Sequence, residues 1–321
     1  MEVSIVIPTY NKLDFLKRTL RTLSHLTYPR ENLEVIVVDD GSEDGTQQFL
    51  ERFSPPFDYF FFRHGTNRCL SAARNTGIRH ARGEIVVFLD DDMEVVPQFL
   101  EEHLKFHAAS QRAAVMGNVQ LAAEVPRTGI VRYLSSRGVH KLKPGQKVPF
   151  KYWRSSNSSV RRSILIEVGL FDERIQEYGG EDLELAFRLE KLGDVNFIYA
   201  PQAISYHMHY RHLTDVCRLM FNYGQTSLAY MVQKHPELAE TVKAHLKEPI
   251  NFGHDSLFLI GQKLLLRAVM NPMIYTAMKW YATKSNTGSP AFIYDYIIAY
   301  NYLTGLRRSL GSRKGLLISR S

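Results

Sequence analysis

The stretch Ile85-Val86-Val87-Phe88-Leu89-Asp90-Asp91-Asp92 joins five consecutive apolar residues to three consecutive carboxylates. A short apolar run with β-branched residues predicts a strand buried on both faces. Carboxylates this close repel one another, so solvent, a cation or a retained proton has to relieve them. A divalent metal bridging carboxylates to a diphosphate is the most direct relief.

Working outward, residues 3–7, 34–38 and 59–62 are further β-rich runs. Between the first two, Leu13, Leu16, Leu20 and Leu23 recur at helical spacing, with Phe15 and Leu26 widening the stripe. Residues 46–53 and 71–81 read as helices, and Pro97 is placed to open another at its first turn. Continuous apolar strands alternating with amphipathic helices predict an α/β fold with a largely parallel sheet covered on both faces. Ligands of such sheets bind at the carboxyl ends of strands. Chemistry is therefore expected after Ile7, Val38 and Leu89, where Pro8-Thr9-Tyr10-Asn11, Asp39-Asp40-Gly41-Ser42 and Asp90-Asp91-Asp92 stand. The Asp39–Ser42 type of cluster also serves simply to turn the chain and cap a helix.

Composition sets the outer bounds. The 321 residues are 45% hydrophobic and 23% charged, which fits a globular protein and excludes disorder, collagen and coiled coil. No run of 18 uninterrupted apolar residues predicts a membrane span. A strand at residues 3–7 leaves no room for a secretory signal, and Cys69 and Cys217 alone make no disulfide framework. These features lead us to expect reduced thiols and a cytoplasmic protein. The net charge of +7 is unevenly placed. Residues 201–321 hold 14 Lys and Arg against 6 Asp and Glu, and the first 200 hold 26 against 27. Two regions with different electrostatics suggest two roles.

The series Val-Ile-Pro-Thr-Tyr-Asn (6–11), Val-Val-Asp-Asp-Gly-Ser-Glu-Asp-Gly-Thr (37–46), Ala-Arg-Asn-Thr-Gly-Ile (73–78) and Phe-Leu-Asp-Asp-Asp (88–92) resembles the family 2 glycosyltransferases. So do Asn-Ser-Ser-Val-Arg-Arg (157–162), Gly-Leu-Phe-Asp-Glu (169–173) and Gly-Gly-Glu-Asp-Leu-Glu (179–184), in the same order. The resemblance spans roughly residues 1–210. It implies a GT-A fold, a Rossmann-like mostly parallel sheet flanked by helices, followed here by a C-terminal helical extension over 211–321. It also implies inverting transfer of a sugar from a nucleotide-diphospho-sugar to an acceptor hydroxyl, in polysaccharide, glycolipid or glycoconjugate synthesis.

Residue by residue, the resemblance puts Pro8, Thr9, Tyr10 and Asn11 under base and ribose. It makes Asp40 the acceptor for a uracil N–H, with Asp39 close by, which favours UDP. Arg74 and Asn75 fall near base or diphosphate. Asp90-Asp91-Asp92 fits the family's Asp-x-Asp element, Asp92 touching the metal, Asp90 and Asp91 contacting ribose or supporting the metal. Mn²⁺ or Mg²⁺ is implied by oxygen ligation. His207 follows Asp182 by 25 residues, similar to a metal-binding histidine of some relatives, and His209 rivals it because an extended chain puts both on one face. Asp182 is the implied general base, with Glu181 as runner-up. Both sit where a helix dipole favours acids. Asn157 would help place the sugar, and Trp153 would stack on it or pack in the core.

Other readings of the aspartate cluster are a retaining GT-A transferase, a nucleotidyltransferase and a catalytically silent nucleotide-sugar-binding protein. A processive polysaccharide synthase needs membrane helices and a Gln-x-x-Arg-Trp element, and neither appears. No nucleic-acid motif accompanies the basic charge. The acceptor class stays open among glycan, lipid-linked and protein. Residues 120–150, with several Pro and Gly, read as a loop that closes over substrate. Beyond 210, helices are predicted at 212–230, 236–246 and 292–306, the last ending in Arg307-Arg308 with Arg313-Lys314 beyond. The apolar segment 257–281 is interrupted by Gln262, Lys263, Arg267 and Pro272. This extension reads as a helical subdomain with a solvated basic face, as a peripheral membrane contact through 251–321 at the inner face of the membrane, or as a surface for homo-oligomers.

Overall fold

The computed structural model describes residues 2–137, 142, 146–241, 251, 255–285 and 288–312. The chain divides into two compact units. One comprises Met1–Val125, Ser136–Gln176 and Glu181–His209, the other Pro126–Ser135, Glu177–Gly180 and Tyr210–Ser321.

In the first unit the continuous apolar runs become strands with no exposed face. β1 (Val3–Thr9), β2 (Leu33–Asp39) and β4 (Ile85–Leu89) are buried at every residue, and β3 (Asp58–Arg63) forms the half-exposed edge. Val3, Ile5 and Ile7 enter one core cluster with α1 (Leu13–Leu23), while Val6 enters the other with Ala73 and Ile78 of α3 (Leu70–His80). That alternation is the two-residue period of a strand. α2 (Thr46–Arg52) follows β2.

The sheet order is β3-β2-β1-β4-β7-β6-β8-β5, with β5 (Met93–Val95), β6 (Ala113–Leu121), β7 (Asn157–Arg161) and β8 (Asn196–His207) completing it. From β3 to β4 the pairing is parallel, as predicted. Beyond β4 it is mixed: β7 runs antiparallel to β4 and β6, β5 runs antiparallel to β8, and β6 and β8 are parallel. The antiparallel register Leu89↔Asn157 brings the start of β7 to the carboxyl end of β4. α6 (Arg162–Glu167) and α7 (Glu181–Lys191) complete this unit's helices with α4 (Phe99–Ala109). Pro97 does not open α4 at its first turn. It stands before the helix, its carbonyl accepting from the Thr27 amide and hydroxyl at 3.0 and 2.9 Å.

α4 buries two histidines against β7. His103 meets Asn157 Oδ1 through Nε2 at 2.9 Å and Ser159 Oγ through Nδ1 at 3.0 Å, and His107 Nε2 lies 2.8 Å from Ser159 Oγ. Burial depresses both imidazoles, His103 to about 3 and His107 to about 4. The unfolded chain takes up these protons near pH 6.5, so folding stability falls as pH drops from there toward 4, by up to about 3 kcal/mol per histidine. The double variant His103→Gln/His107→Gln should flatten that slope. Urea melts between about pH 7 and pH 4 check it, and an unchanged slope would count against the linkage.

The second unit is helical. Residues 212–230, predicted as one helix, are α8 (Leu213–Tyr223), a π-helical turn (Gly224–Leu228) and α9 (Ala229–Lys234). Of residues 236–246, α10 (Leu238–Thr241) is described, and 242–246 lie outside the described residues, as do Arg313 and Lys314. The interrupted segment forms α11 (Leu257–Val269) and α12 (Pro272–Lys284), which meet at 56°. Pro272 starts α12, and the Asn271 side chain caps it by accepting from the Met273 and Ile274 amides. Among the described residues no single helix is long and apolar enough to cross a membrane, though the bent pair passes that test together. α13 (Ala291–Ser312) follows. The expected loop over 120–150 is only partly a loop. It contains the end of β6 and α5 (Gly129–Ser135), while Gly138, Pro144 and Gly145 lie outside the described residues.

Gly224 and Gly305 allow backbone-to-backbone contact between the α8 segment and α13. A Cβ on Gly224 would stand 1.9 Å from the Tyr302 carbonyl oxygen, and one on Gly305 would stand 2.1 Å from that of Phe221. No side-chain rotation relieves a clash with backbone. Gly224→Ala should therefore cost about 1–3 kcal/mol in a denaturant melt.

Candidate active site

The three predicted loops converge in the first unit, and hydrogen bonds bolt them together. Thr9 closes β1 and donates through Oγ1 to Asp91 Oδ2 at 2.8 Å. Asn11 has φ 51°; its amide donates to Ser42 Oγ and its Oδ1 accepts from the Glu43 amide. Pro8 is buried within β1, whereas Tyr10 is exposed. At the end of β2, Asp39 accepts from the Ser42 amide and from Arg63 Nε, which makes it a buried turn residue. Gly41, at φ +85°, has the Thr66 carbonyl carbon 2.9 Å from where a Cβ would stand, so only glycine fits there. Asp40 Oδ1 lies 2.6 Å from His64 Nδ1 and accepts from the Arg68 amide.

The three carboxylates after β4 separate into different environments. Asp90 is held by its amide on the Ser156 carbonyl and accepts from Arg74 Nη2 at 3.0 Å. Lys12 Nζ reaches Asp91 Oδ1 at 3.1 Å and Asp92 Oδ2 at 2.8 Å. Burial pushes Asp91 up to about 7, against the pull of Lys12, and the Asp92 charge adds to the rise. Burial opposes ionisation of Asp92 as well, but the His207 hydrogen bond and the Lys12 ammonium outweigh it and hold that carboxyl far below the usual range. The cluster thus tolerates its own charge by setting the Lys12 ammonium between Asp91 and Asp92 and the Arg74 guanidinium beside Asp90.

Asp92 also heads a group suited to a divalent cation. One ligand atom each from Asp92, His207 and His209 lie within 4.8 Å of one another. The Met93↔His207 register of β5 and β8 puts His207 Nε2 3.4 Å from Asp92 Oδ2, and two residues on, His209 shares that face. Asp92 Oδ1 is buried and takes no hydrogen bond among the described residues. A buried carboxylate oxygen without a donor is costly unless a cation meets it, so the residues fit a metal. His209 is therefore placed to act together with His207. Asp90 is not in this group and turns to Arg74.

Arg74, on α3, is the junction of the site. Its fully buried guanidinium spans Asp90, Glu181 Oε1 (3.2 Å from Nη1) and Asp182 Oδ1 (3.5 Å), over the Phe171 ring at 5.4 Å. Asp182 Oδ1 also accepts from the Ser155 amide at 3.2 Å and from its hydroxyl. Burial and the neighbouring Asp182 charge push Glu181 up to about 7, with Arg74 opposing them in part.

Three expected contacts fall elsewhere. Trp153 is wholly buried, edge-to-face with Phe88, so it packs the core and cannot stack on a sugar. Asn157 is buried too. Its amide donates to the Ala203 carbonyl and Ser205 Oγ while its Oδ1 meets His103, so it fixes strand ends and does not place a sugar. Asn75 exchanges hydrogen bonds with the Phe171 backbone and donates to Glu173, which keeps it away from the carboxylates. Two participants escaped the sequence reading: Lys12, one residue past the first motif, and His64, just past the end of β3. Looking after the third strand as well as the first, second and fourth would have found His64.

Comparison with known proteins identifies the fold and the family. The fold is that of GT-A glycosyltransferases. TarS of S. aureus, solved with UDP, aligns with 98% of this chain and 92% of its own at TM-score 0.56 and 19% identity. The mannosyltransferase PcManGT of Pyrobaculum calidifontis, solved with GDP-Man and Mn²⁺, aligns with 98% and 88% at TM-score 0.60 and 19% identity. In sequence, the chain is 28% identical over 294 residues to an uncharacterized glycosyltransferase, YfnE, of Bacillus subtilis (strain 168), covering 77% of this chain and 73% of that protein. It is 29% identical over 270 residues to a validoxylamine A glucosyltransferase of Streptomyces hygroscopicus subsp. jinggangensis (strain 5008), covering 74% of this chain but 61% of that one. The family model for glycosyl transferase family 2 matches residues 4–169, more than half of the chain. The chain belongs to glycosyl transferase family 2 and is a glycosyltransferase.

Proposed function

We propose that this glycosyltransferase moves a sugar from a UDP-sugar to an acceptor hydroxyl with inversion, assisted by Mn²⁺ or Mg²⁺, in polysaccharide, glycolipid or glycoconjugate synthesis. One observation carries the reading. A single buried guanidinium, that of Arg74, links Asp90 at the end of β4 to the carboxylate pair opening α7. Donor chemistry and proton removal therefore share one rigid element. Solved neighbours with UDP and UDP-GlcNAc support a UDP donor, and the neighbour with GDP-Man and Mn²⁺ supports a metal.

Asp182 is the base. Among the described residues the donors to Asp182 fall on its Oδ1, so Oδ2 is the oxygen that takes the acceptor proton. As that O–H bond breaks, the acceptor oxygen forms its bond to the anomeric carbon, and the bond from that carbon to the diphosphate breaks on the opposite side with its electron pair. Asp92, His207 and His209 would hold the cation, and their mixed oxygen and nitrogen set would suit Mn²⁺ better than Mg²⁺. When bound, the cation supplies positive charge to the leaving diphosphate.

A screen of UDP-, GDP- and dTDP-sugars with Mn²⁺, Mg²⁺ or EDTA, with the product anomer read by NMR, tests the reading. Release of pyrophosphate would replace it with nucleotidyl transfer, and a retained configuration would remove the single displacement. Asp92→Ala should lower UDP affinity in Mn²⁺ by at least about 10-fold while leaving affinity in EDTA unchanged. Calorimetry in both conditions checks this, and a variant as Mn²⁺-dependent as the wild type would remove Asp92 from the metal.

A further inference from the structure

Helix α11 is amphipathic in the inverted sense. Its Lys263 is 2% exposed and pairs with Asp255 at 2.8 Å, while Leu257, Phe258, Leu264 and Leu265 face outward, Leu257 at 88% exposure. Residues 257, 261, 264, 265 and 268 form one helical stripe, exposed throughout. α12 adds Met273 at 83% and Trp280 at 63% exposure. A helix that buries Lys263 while turning four large apolar side chains outward is built for an apolar medium on its outer side, with the exposed Arg267 left to meet polar groups at its edge.

Length, charge and aromatic placement identify that medium. Each helix has 13 residues, or about 20 Å, short of a hydrocarbon core about 30 Å thick. The pair turns 56° at its break, a geometry suited to lying in an interface. Between Ser256 and Tyr294 the sequence holds four Lys and Arg and no Asp or Glu. Beyond the paired Lys263, these are Arg267 and Lys284, both exposed, and the half-buried Lys279. Trp280 and Tyr281 stand next to them, the pairing that sits at headgroup level in membranes. The elbow is fixed, because the Tyr296 hydroxyl of α13 donates to the Val269 carbonyl at 3.0 Å.

We propose that α11 and α12 form an interfacial element that seats the second unit on an anionic phospholipid bilayer. The leucine, phenylalanine and methionine side chains enter the acyl boundary, and Arg267, Lys279 and Lys284 meet the lipid phosphates. This proposal shares no residue with the donor chemistry above and survives or fails independently of it.

The chain has two tryptophans, and Trp153 is wholly buried, so a change in tryptophan emission on adding vesicles reports Trp280. The full chain should shift to the blue, and be quenched by brominated acyl chains, with vesicles of equimolar phosphatidylcholine and phosphatidylglycerol. Binding should be at least about tenfold weaker with phosphatidylcholine alone or at high salt. Leu265→Glu, at a position 66% exposed, should keep the wild-type circular dichroism melt and lose about tenfold or more in vesicle affinity. Failure of the full chain to bind anionic vesicles, or binding that Leu265→Glu leaves intact, would overturn the proposal. So would equal binding to neutral vesicles. A dimer by light scattering that Leu265→Glu dissociates, with no emission change on vesicles, would assign the face to a second copy of the chain and overturn it as well.

Discussion

Asp182→Asn should lower turnover by about 10²–10⁴-fold while UDP binds within about twofold of the wild type. The amide matches the carboxylate in size, and its oxygen still accepts from the Ser155 amide and hydroxyl. Position is kept and basicity is removed, so the whole loss should fall on the chemical step. Ser155→Ala makes the complementary change, leaving the base and loosening its hold, and should cost less. Glu181 is the competitor, and the two are separable. Its carboxyl lies near 7, raised first by burial and then by Asp182, so it is substantially protonated at neutral pH. Gln copies that protonated form, and Glu181→Gln should retain much of the wild-type rate near pH 6. Turnover with the best donor, together with UDP calorimetry, reads both variants. A nearly normal Asp182→Asn beside an inactive Glu181→Gln would transfer the role of base to Glu181.

What was legible in the chain follows from which interactions are local. β1, β2 and β4 announced themselves because a strand covered on both faces reads as a nearly continuous apolar run, broken here only by the buried Ser4 and Glu34 near the strand starts, and the polar residues at their carboxyl ends mark the site. The mixed half of the sheet was not legible. β5 has three residues, and its pairing with β8 depends on residues more than a hundred positions later. That same pairing brings His207 and His209 to Asp92, so from sequence the two histidines stood only as rivals. Asn157 was misplaced for a related reason, and Trp153 stood open between sugar and core until its burial decided for the core. A tryptophan and an asparagine among loop residues look available to a sugar, and the partners that bury them, Phe88 and His103, come from distant elements. Arg74 was visible as a cation near the diphosphate. Its link to Glu181 and Asp182 spans more than a hundred residues and has no local signature.

That link carries the second large effect. Arg74→Met should destabilise the first unit by about 3–5 kcal/mol, because it leaves Asp90, Glu181 and Asp182 buried or half-buried with no cation between them. Methionine fills much of the volume, so the loss reports charge more than packing. Arg74→Lys separates the two contributions. It retains one charge but lacks the planar fork that reaches Asp90 on one side and Glu181 on the other, and should fall between wild type and Arg74→Met. The sign of the pH dependence distinguishes electrostatics from a simple cavity. Glu181 already titrates near 7 with Arg74 holding it down in part, so removing the guanidinium raises it further. A carboxyl whose folded pKa is raised contributes its full stability below the unfolded value and loses it as pH climbs through the folded one. The deficit of Arg74→Met should therefore be small near pH 5 and grow toward pH 8, whereas a packing defect would be the same at both. Denaturant melts of wild type, Arg74→Lys and Arg74→Met across that range decide the matter, and a deficit independent of pH would mean that Arg74 serves the fold by packing and not by charge.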